Sequence, residues 1–185
     1  GRFFCFHTGI GYDAAVVKAV ERHASLKRWL GHPLFISAAL TTWLHGYDRH
    51  QPHFRLAADR PASRRLARID GGCFSIVRNP NPYTYLGTRP LDLSPAATLD
   101  NPLVVVTFST LRVLPILRGL GSALRGGGVK ESAYVTEWRD VEHMVVEYAQ
   151  PFPYQVDGDY LGDVNRLEFD FVPNAVKLVF PGTAP

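Results

Sequence analysis

The feature that most constrains the fold is an acidic turn, Asp157-Gly158-Asp159, with strand-like hydrophobic sequence on both sides. An Asp-Gly pair between two such runs is a strong signal for a β-hairpin, because both residues suit the backbone of a two-residue turn. A carboxylate at a hairpin tip is held on a rigid support and remains accessible, as binding and catalytic groups often are. Taken alone, however, an Asp-Gly turn is more often only a solvated loop.

The chain is long enough and apolar enough for one domain with a real core, with 185 residues of which 46% are hydrophobic. It has no apolar run of about 18 residues, so the sequence predicts no membrane span, and it shows no secretory signal pattern. Cys5 and Cys73 are too few for a disulfide framework and favour a reducing cytoplasm. Because the chain begins at Gly1 without a methionine, we expect a domain of a longer protein.

Hydrophobic periodicity predicts a mainly β, α+β domain: an antiparallel β-sandwich with two N-terminal helices and one inserted helix. The first helix begins near Asp13, where the carboxylate suits the helix N-terminus as a cap, and the second begins at Pro33. The inserted helix covers residues 110–124. The predicted strands are 2–8, 53–57, 64–69, 73–77, 91–94, 103–108, 129–136, 141–148, 154–156, 166–171 and 175–180.

Charge is unevenly distributed along the chain. Residues 1–70 carry eleven lysines and arginines against five acids, whereas residues 129–185 carry four against ten. The basic half favours an anionic partner such as a membrane surface or phosphates, although an arginine-rich solvated surface explains the pattern as well.

Several common catalytic and binding patterns are missing. Gly9-x-Gly11 is only half of a dinucleotide fingerprint, and His50-x-x-His53 lacks the further ligands of a metal site. The arginines between 60 and 68 come with no nucleic-acid-binding module, so we expect no nucleic acid as partner. The sequence has no Gly-x-Ser-x-Gly elbow, no Cys-x-x-Cys pair and no Walker-type phosphate loop.

Three segments, taken in order, carry a family resemblance. They are Phe4 to Val17 with its Gly-Ile-Gly-Tyr-Asp core, the middle region with Phe74 to Asn79, Tyr85-Leu86-Gly87 and Leu93 to Ala97, and the end from Pro151 to Gly162 with Val172 to Ala175. Together they resemble the C-terminal domain of the diacylglycerol kinase-like lipid kinases, a superfamily that includes sphingosine kinases and, more distantly, NAD kinases. The resemblance covers nearly the whole chain.

The resemblance implies an ATP-dependent lipid kinase that phosphorylates the hydroxyl of diacylglycerol or a similar lipid. Residues 1–185 would form its single C-terminal lipid-substrate domain, inactive alone. A preceding domain with a Gly-Gly-Asp-Gly-Thr loop would bind ATP and Mg²⁺. The protein would be cytoplasmic and peripheral to the inner face of the membrane.

The resemblance also implies roles for single residues. Asp159 matches the carboxylate proposed as general base, and Asp157 matches the first acid of that turn. Asp13 and Asn79 are expected at the lipid substrate, whereas Asp100 is all that remains of a family metal site, so we expect no metal ligands. The basic residues expected to attract an anionic membrane are Lys18, Lys27, Arg28, Arg64 and Arg65.

Two other functions remain open at this point. One is a lipid-binding module without catalysis, and the other is a phosphotransferase like the NAD kinases, with a soluble substrate. The sequence also leaves the oligomeric state open, a homodimer included.

Overall fold

The computed structural model describes residues 1–22, 36–48, 53–60 and 65–175. Within them the protein is mainly β with helices, which confirms the predicted α+β class. The strands are β1 (His7–Gly11), β2 (Phe54–Arg60), β3 (Arg65–Gly72), β4 (Phe74–Arg78), β5 (Thr84–Leu86), β6 (Arg89–Leu91), β7 (Leu103–Phe108), β8 (Val135–Val141), β9 (His143–Val156) and β10 (Asp159–Asp170).

Eight of these strands form one antiparallel sheet, and β5 and β6 form a separate hairpin. The order in the sheet is β3-β2-β9-β1-β4-β7-β8, with β10 paired to β9. Buried side chains from both ends of this order, such as Leu56 of β2, Val105 of β7 and Trp138 of β8, share one core cluster. The two layers of the predicted sandwich are therefore parts of a single sheet that curls onto itself.

The long strand β9 joins the two layers. One of its edges pairs with β10, whereas the other pairs with β2 through residues 143–147 and with β1 through residues 154–156. The sequence pattern divides this region into separate strands at 141–148 and 154–156. The structure instead continues through Pro151 and Pro153, where neither β1 nor β2 is paired with β9, so the missing N–H of proline leaves no gap in the ladders to β1 and β2. On the other edge, Pro153 pairs with Asp163 of β10.

Helices cover the outside of the curled sheet. Helix α1 (Tyr12–Glu21) buries Val16 and Val20 against Ala38, which lies in the helical segment 36–41. That segment continues as a π-helical turn, Thr42–Gly46. In the part of the chain that the structure describes, no helix has the length and apolar character needed to cross a bilayer.

The inserted helix, α2 (Val113–Ala123), follows β7 and is shorter than the predicted 110–124. Pro115 lies in its first turn, where backbone N–H groups have no partner within the helix, so proline costs little there. Ala123 packs in a second core cluster with Val106 and Phe108, on the sheet face opposite the first cluster.

Candidate functional site

The acidic turn lies at the tip of the β9–β10 hairpin. Asp157 and Gly158 form the two-residue loop, with φ angles of 50° and 92°, and Val156 pairs with Asp159 across it. Two positive φ angles are what a tight hairpin of the primed type requires, and Asp and Gly adopt them at low cost. The hairpin expected from the sequence is therefore present, and it places both carboxylates at one end of the sheet.

The carboxylate of Asp157 is a backbone anchor. It accepts hydrogen bonds from the N–H groups of Cys5, Phe6 and His7 at 2.9, 2.9 and 3.0 Å. The N–H of Asp157 in turn donates to the carbonyl of His7 at 2.9 Å. With three donors already in place, this carboxylate fixes the position of the N-terminal segment.

Asn79 holds the same N-terminal segment. Its side-chain amide donates to the carbonyl of Phe4 at 3.0 Å, and its backbone N–H donates to the carbonyl of Phe6 at 3.0 Å. The sequence pattern predicts a strand over residues 2–8, but the strand begins only at His7. Residues 4–6 bond to the side chains of Asn79 and Asp157 instead of completing a strand ladder.

Asp159 presents its carboxylate to solvent. It forms an ion pair with Arg2, with 2.8 Å between Nη2 and Oδ2, and the two side chains are 65% and 49% exposed. An exposed ion pair of this kind contributes about 0–1 kcal/mol to stability, so an incoming group displaces it readily. Both aspartates are exposed, but the Asp157 carboxylate already accepts three backbone hydrogen bonds, whereas the Asp159 carboxylate makes this ion pair and is open to a ligand.

Asp13 is buried and does not cap its helix. The N-cap of α1 is Gly11, with no side-chain hydrogen bond to the helix amides. The Asp13 carboxylate instead accepts one hydrogen bond from the hydroxyl of Tyr83 and one, at 2.8 Å, from the amide of Gln155. The carboxylate lies so close to β1 that a Cβ at Gly9 would be 1.6 Å from Oδ2 of Asp13. Only glycine fits there.

Gln155 connects Asp13 to the acidic turn. Its side chain is fully buried; its Nε2 donates to Asp13, and its Oε1 accepts the backbone N–H of Gly158 at 2.8 Å. Three predicted positions (Asp13, the turn and, through the N-terminal segment, Asn79) therefore belong to one hydrogen-bonded assembly. Hydrogen-bond networks of this kind hold the groups they join in one arrangement.

Burial sets the protonation states around Asp13. It raises the pKa of Tyr83 well above the usual value, and the neighbouring Asp13 raises it further, so the hydroxyl remains a donor. Burial also lowers the pKa of His7, whereas Asp13 and Asp157 act in the opposite direction. The ring of His7 packs on that of Tyr83 with centroids 4.8 Å apart.

Arg78 is a buried cation beneath this network. Burial lowers its pKa to about 10, with Asp92, Tyr83 and Glu137 opposing the shift, so it stays charged near neutral pH. Its Nη2 donates to the carbonyl of Pro80 at 3.0 Å and to the side chain of Asn81. Its Nε and Nη1 are buried without a hydrogen-bond partner in the described part of the chain.

The basic residues expected to attract a membrane are only partly visible. Lys18 lies on α1, pairs with Asp163 at 3.1 Å and sits 4.8 Å from the ring centroid of Tyr160. Arg65 begins β3, but its side chain lies outside what the structure describes, as do Lys27, Arg28, Arg64 and the histidine at 50. Their role stays a prediction.

One group of possible metal ligands lies elsewhere on the same hairpin. His143, Glu168 and Asp170 bring one ligand atom each to within 4.8 Å of one another. They lie at the open end of the β9–β10 hairpin, away from its tip, because Asp170 pairs with His143. Glu168 is also bound by Arg166 at 3.2 Å. This group is not part of the candidate site.

Four members of the site could not be predicted from the sequence: Gln155, Tyr83, His7 and Arg78. A buried amide within a strand carries a weak signal, since Gln155 is a polar residue between the apolar positions Phe152 and Val156. Tyr83 and Arg78 lie in and beside a proline-rich loop with no periodicity, and nothing in the local sequence indicates that they approach Asp13.

The comparisons with known proteins show the fold. No family model matches the chain, and no curated protein matches its sequence. Two solved structures of proposed diacylglycerol kinases from Bacillus anthracis str. Sterne are similar, with TM-scores of 0.52 and 0.51 at 16% and 14% identity. Each covers 90% of this chain, which spans 50% of their length. The resemblance to diacylglycerol kinase-like proteins is therefore confirmed at the level of the fold.

Proposed function

We propose that this chain is the lipid-substrate half of an ATP-dependent lipid kinase, with Asp159 as the general base. The observation that carries the proposal is that the two acids at the hairpin tip make different contacts. Asp157 accepts hydrogen bonds from three backbone N–H groups, whereas Asp159, among the described residues, makes only an exposed ion pair with Arg2. The fold shared with proposed diacylglycerol kinases supports the assignment to this class of enzyme.

The reaction requires little covalent chemistry from the protein. The lipid hydroxyl oxygen bonds to the γ-phosphorus of ATP while the bond from that phosphorus to the β–γ bridging oxygen breaks, and the hydroxyl proton passes to a carboxylate. A base acts when it lies within about 3 Å of that hydroxyl, or one water away. Asp159 meets the first demand of this role, since its carboxylate is accessible at a rigid tip.

ATP and Mg²⁺ are proposed to bind mainly to a second domain. The acids of this site do not form a ligand set, because Asp157 accepts three backbone bonds and Asp13 accepts two side-chain bonds. Mg²⁺ bound with ATP would supply charge neutralisation on the phosphates, and this domain would supply the base and the lipid surface. The chain spans 50% of the length of the similar solved structure, which supports a two-domain enzyme.

The test is a phosphorylation assay of the full-length protein. It would be given ATP labelled in the γ-phosphate, Mg²⁺ and diacylglycerol in detergent micelles, with NAD in a parallel reaction. The proposal predicts labelled phosphatidic acid and no labelled NADP. Label in NADP alone would favour the soluble phosphotransferase, and lipid retention without any transfer would favour the binding module; either result contradicts the proposal.

A further inference from the structure

The helix α2 exposes its apolar side chains to solvent. Leu114 and Leu117 are 57% and 56% exposed, and Val113 and Leu120 are 50% and 37% exposed. At 100° per residue these four positions form one continuous stripe, whereas the buried positions Gly119 and Ala123 lie on another face. An ordinary surface helix turns its apolar stripe toward the core, so this arrangement requires a partner.

The charge around the stripe identifies the partner. Residues 101–130 contain three arginines and one lysine and no acidic residue. Arg118 follows Leu114 by four positions and so lies at one edge of the stripe, whereas Arg125 lies just beyond the end of the helix. The terminal nitrogens of Arg125 are 3.7 Å from the Cβ position of Gly121, which places this guanidinium against the last turn of the helix.

A second exposed apolar stripe lies on a neighbouring segment. Ile36, Leu40 and Leu44 recur every four residues and are about half exposed. The indole N–H of Trp43 donates to the carbonyl of Leu111 at 2.8 Å, which ties this segment to the residue just before α2. Within the described part of the chain, exposed apolar surface therefore extends beyond one helix.

We propose that α2 is a membrane-docking helix whose Val113–Leu120 stripe inserts into an anionic lipid surface, with Arg118 and Arg125 at the headgroups. An amphipathic helix with basic residues beside an apolar face binds at the bilayer interface, through apolar burial and attraction to anionic lipids. A protein partner would require acidic complementarity on a rigid surface, whereas a lipid surface supplies both chemistries at once. The inference deepens the proposed function, since it names the surface through which a lipid kinase reaches its substrate.

The test uses the full-length protein and vesicles made of equimolar phosphatidylglycerol and phosphatidylcholine, compared with phosphatidylcholine alone. Sedimentation of the V113S/L117S variant is expected to show a loss of vesicle partitioning of about tenfold or more. The matched control L99S/V172S removes the same side chains from two other exposed positions, 48% and 50% exposed, and should bind like wild type. The R118Q/R125Q variant should lose binding only to the anionic vesicles, whereas R55Q/R89Q should not.

A fluorophore locates the insertion directly. Cys5 is exposed and Cys73 is buried, so a C5S background accepts an environment-sensitive label at L117C or, as control, at L99C. Adding anionic vesicles is expected to shift the emission to the blue at position 117 and not at 99. Unchanged emission at position 117 or equal partitioning of all variants would overturn the proposal. The same holds if self-association or another domain already shields the stripe.

The result is separable from the proposed kinase activity. Substrate in detergent micelles does not require docking on a bilayer, so the stripe variants should keep wild-type turnover in micelles while losing turnover on vesicles. A wild-type protein that binds vesicles through α2 but phosphorylates no lipid would contradict the proposed function and leave the docking surface standing. If the wild-type protein phosphorylates lipid and its stripe variants bind vesicles normally, the proposed function stands and the docking surface is contradicted.

Discussion

The buried amide of Gln155 donates a hydrogen bond to the carboxylate of Asp13 across 2.8 Å, and its carbonyl oxygen accepts the N–H of Gly158. One side chain thus fixes the distance between the start of α1 and the tip of the β9–β10 hairpin. The position of Asp159 depends on this link, since Asp159 follows Gly158 directly.

Replacing Gln155 should therefore destabilise the fold, because the Asp13 carboxylate and the N–H of Gly158 lose a hydrogen-bond partner. Gln155→Met keeps the shape but removes both bonds, at a cost of about 1–3 kcal/mol in the free energy of unfolding. Gln155→Glu places a second carboxylate against Asp13 and should cost more, roughly 3–5 kcal/mol, as an uncompensated buried charge does. Urea denaturation of both variants measures the order; a Glu variant as stable as wild type would contradict the assigned bond.

Gly9 should tolerate no side chain. A Cβ there would lie 1.6 Å from Oδ2 of Asp13, so Gly9→Ala should lower stability by about 1–3 kcal/mol or more. Gly127→Ala is the matched control, because its nearest neighbours are 3.7 Å away, and its effect should stay within roughly 0.5 kcal/mol. In an Asp13→Ala background the penalty at Gly9 should shrink, which a double-mutant cycle measures. Additive effects would place the obstruction elsewhere.

Asp157 should matter for the N-terminal segment. Asp157→Ala removes the acceptor of three backbone N–H groups, which should cost about 1–3 kcal/mol and accelerate amide exchange at residues 5–7. Asp157→Asn keeps one acceptor oxygen and tolerates the positive φ, so its effect should be smaller. Hydrogen exchange with mass spectrometry reads out the segment. Equal protection in wild type and Asp157→Ala would show that other contacts hold it.

His7 should make stability depend on pH. Burial lowers its pKa in the folded state below the usual value of about 6.5, so the unfolded chain binds more protons between the two pKa values. Stability should then rise with pH across that window, by at most about 1.4 kcal/mol per pH unit from this group, and lose this contribution on acidification. His7→Gln should flatten the rise, whereas His143→Gln should leave it in place. A rise of the same slope in His7→Gln would assign it to another group.

The sequence predicts the class of the fold and the hairpin well because both depend on local chemistry. Alternating apolar residues specify antiparallel strands, and the Asp-Gly pair specifies the turn. The turn in turn places Asp157 and Asp159 at the tip of the hairpin. What could not be predicted depends on long-range contacts. The sequence predicts separate strands at 141–148 and 154–156, whereas the structure has one strand, β9, which pairs with β2 on one side of Pro151 and Pro153, with β1 on the other, and with β10 along its second edge.

The same reason explains which site residues were missed. The position of Asp13 at a helix start predicts a helix cap, but its carboxylate bonds to Tyr83, which is 70 residues away in sequence. Composition predicts a strand over residues 2–8. The side chains of Asn79 and Asp157 instead bind the backbone of residues 4–7. Each of these contacts needs the curled sheet in place first.

The turnover of full-length Asp159→Asn on diacylglycerol decides whether Asp159 is the proton acceptor at the hairpin tip. Among the described residues, Asp159 makes only an exposed ion pair, so we expect unchanged stability and a fall in turnover of about 10²–10⁴-fold. Thermal unfolding measured alongside separates a lost base from a lost fold. Turnover equal to wild type in a stably folded Asp159→Asn protein would exclude Asp159 as the general base.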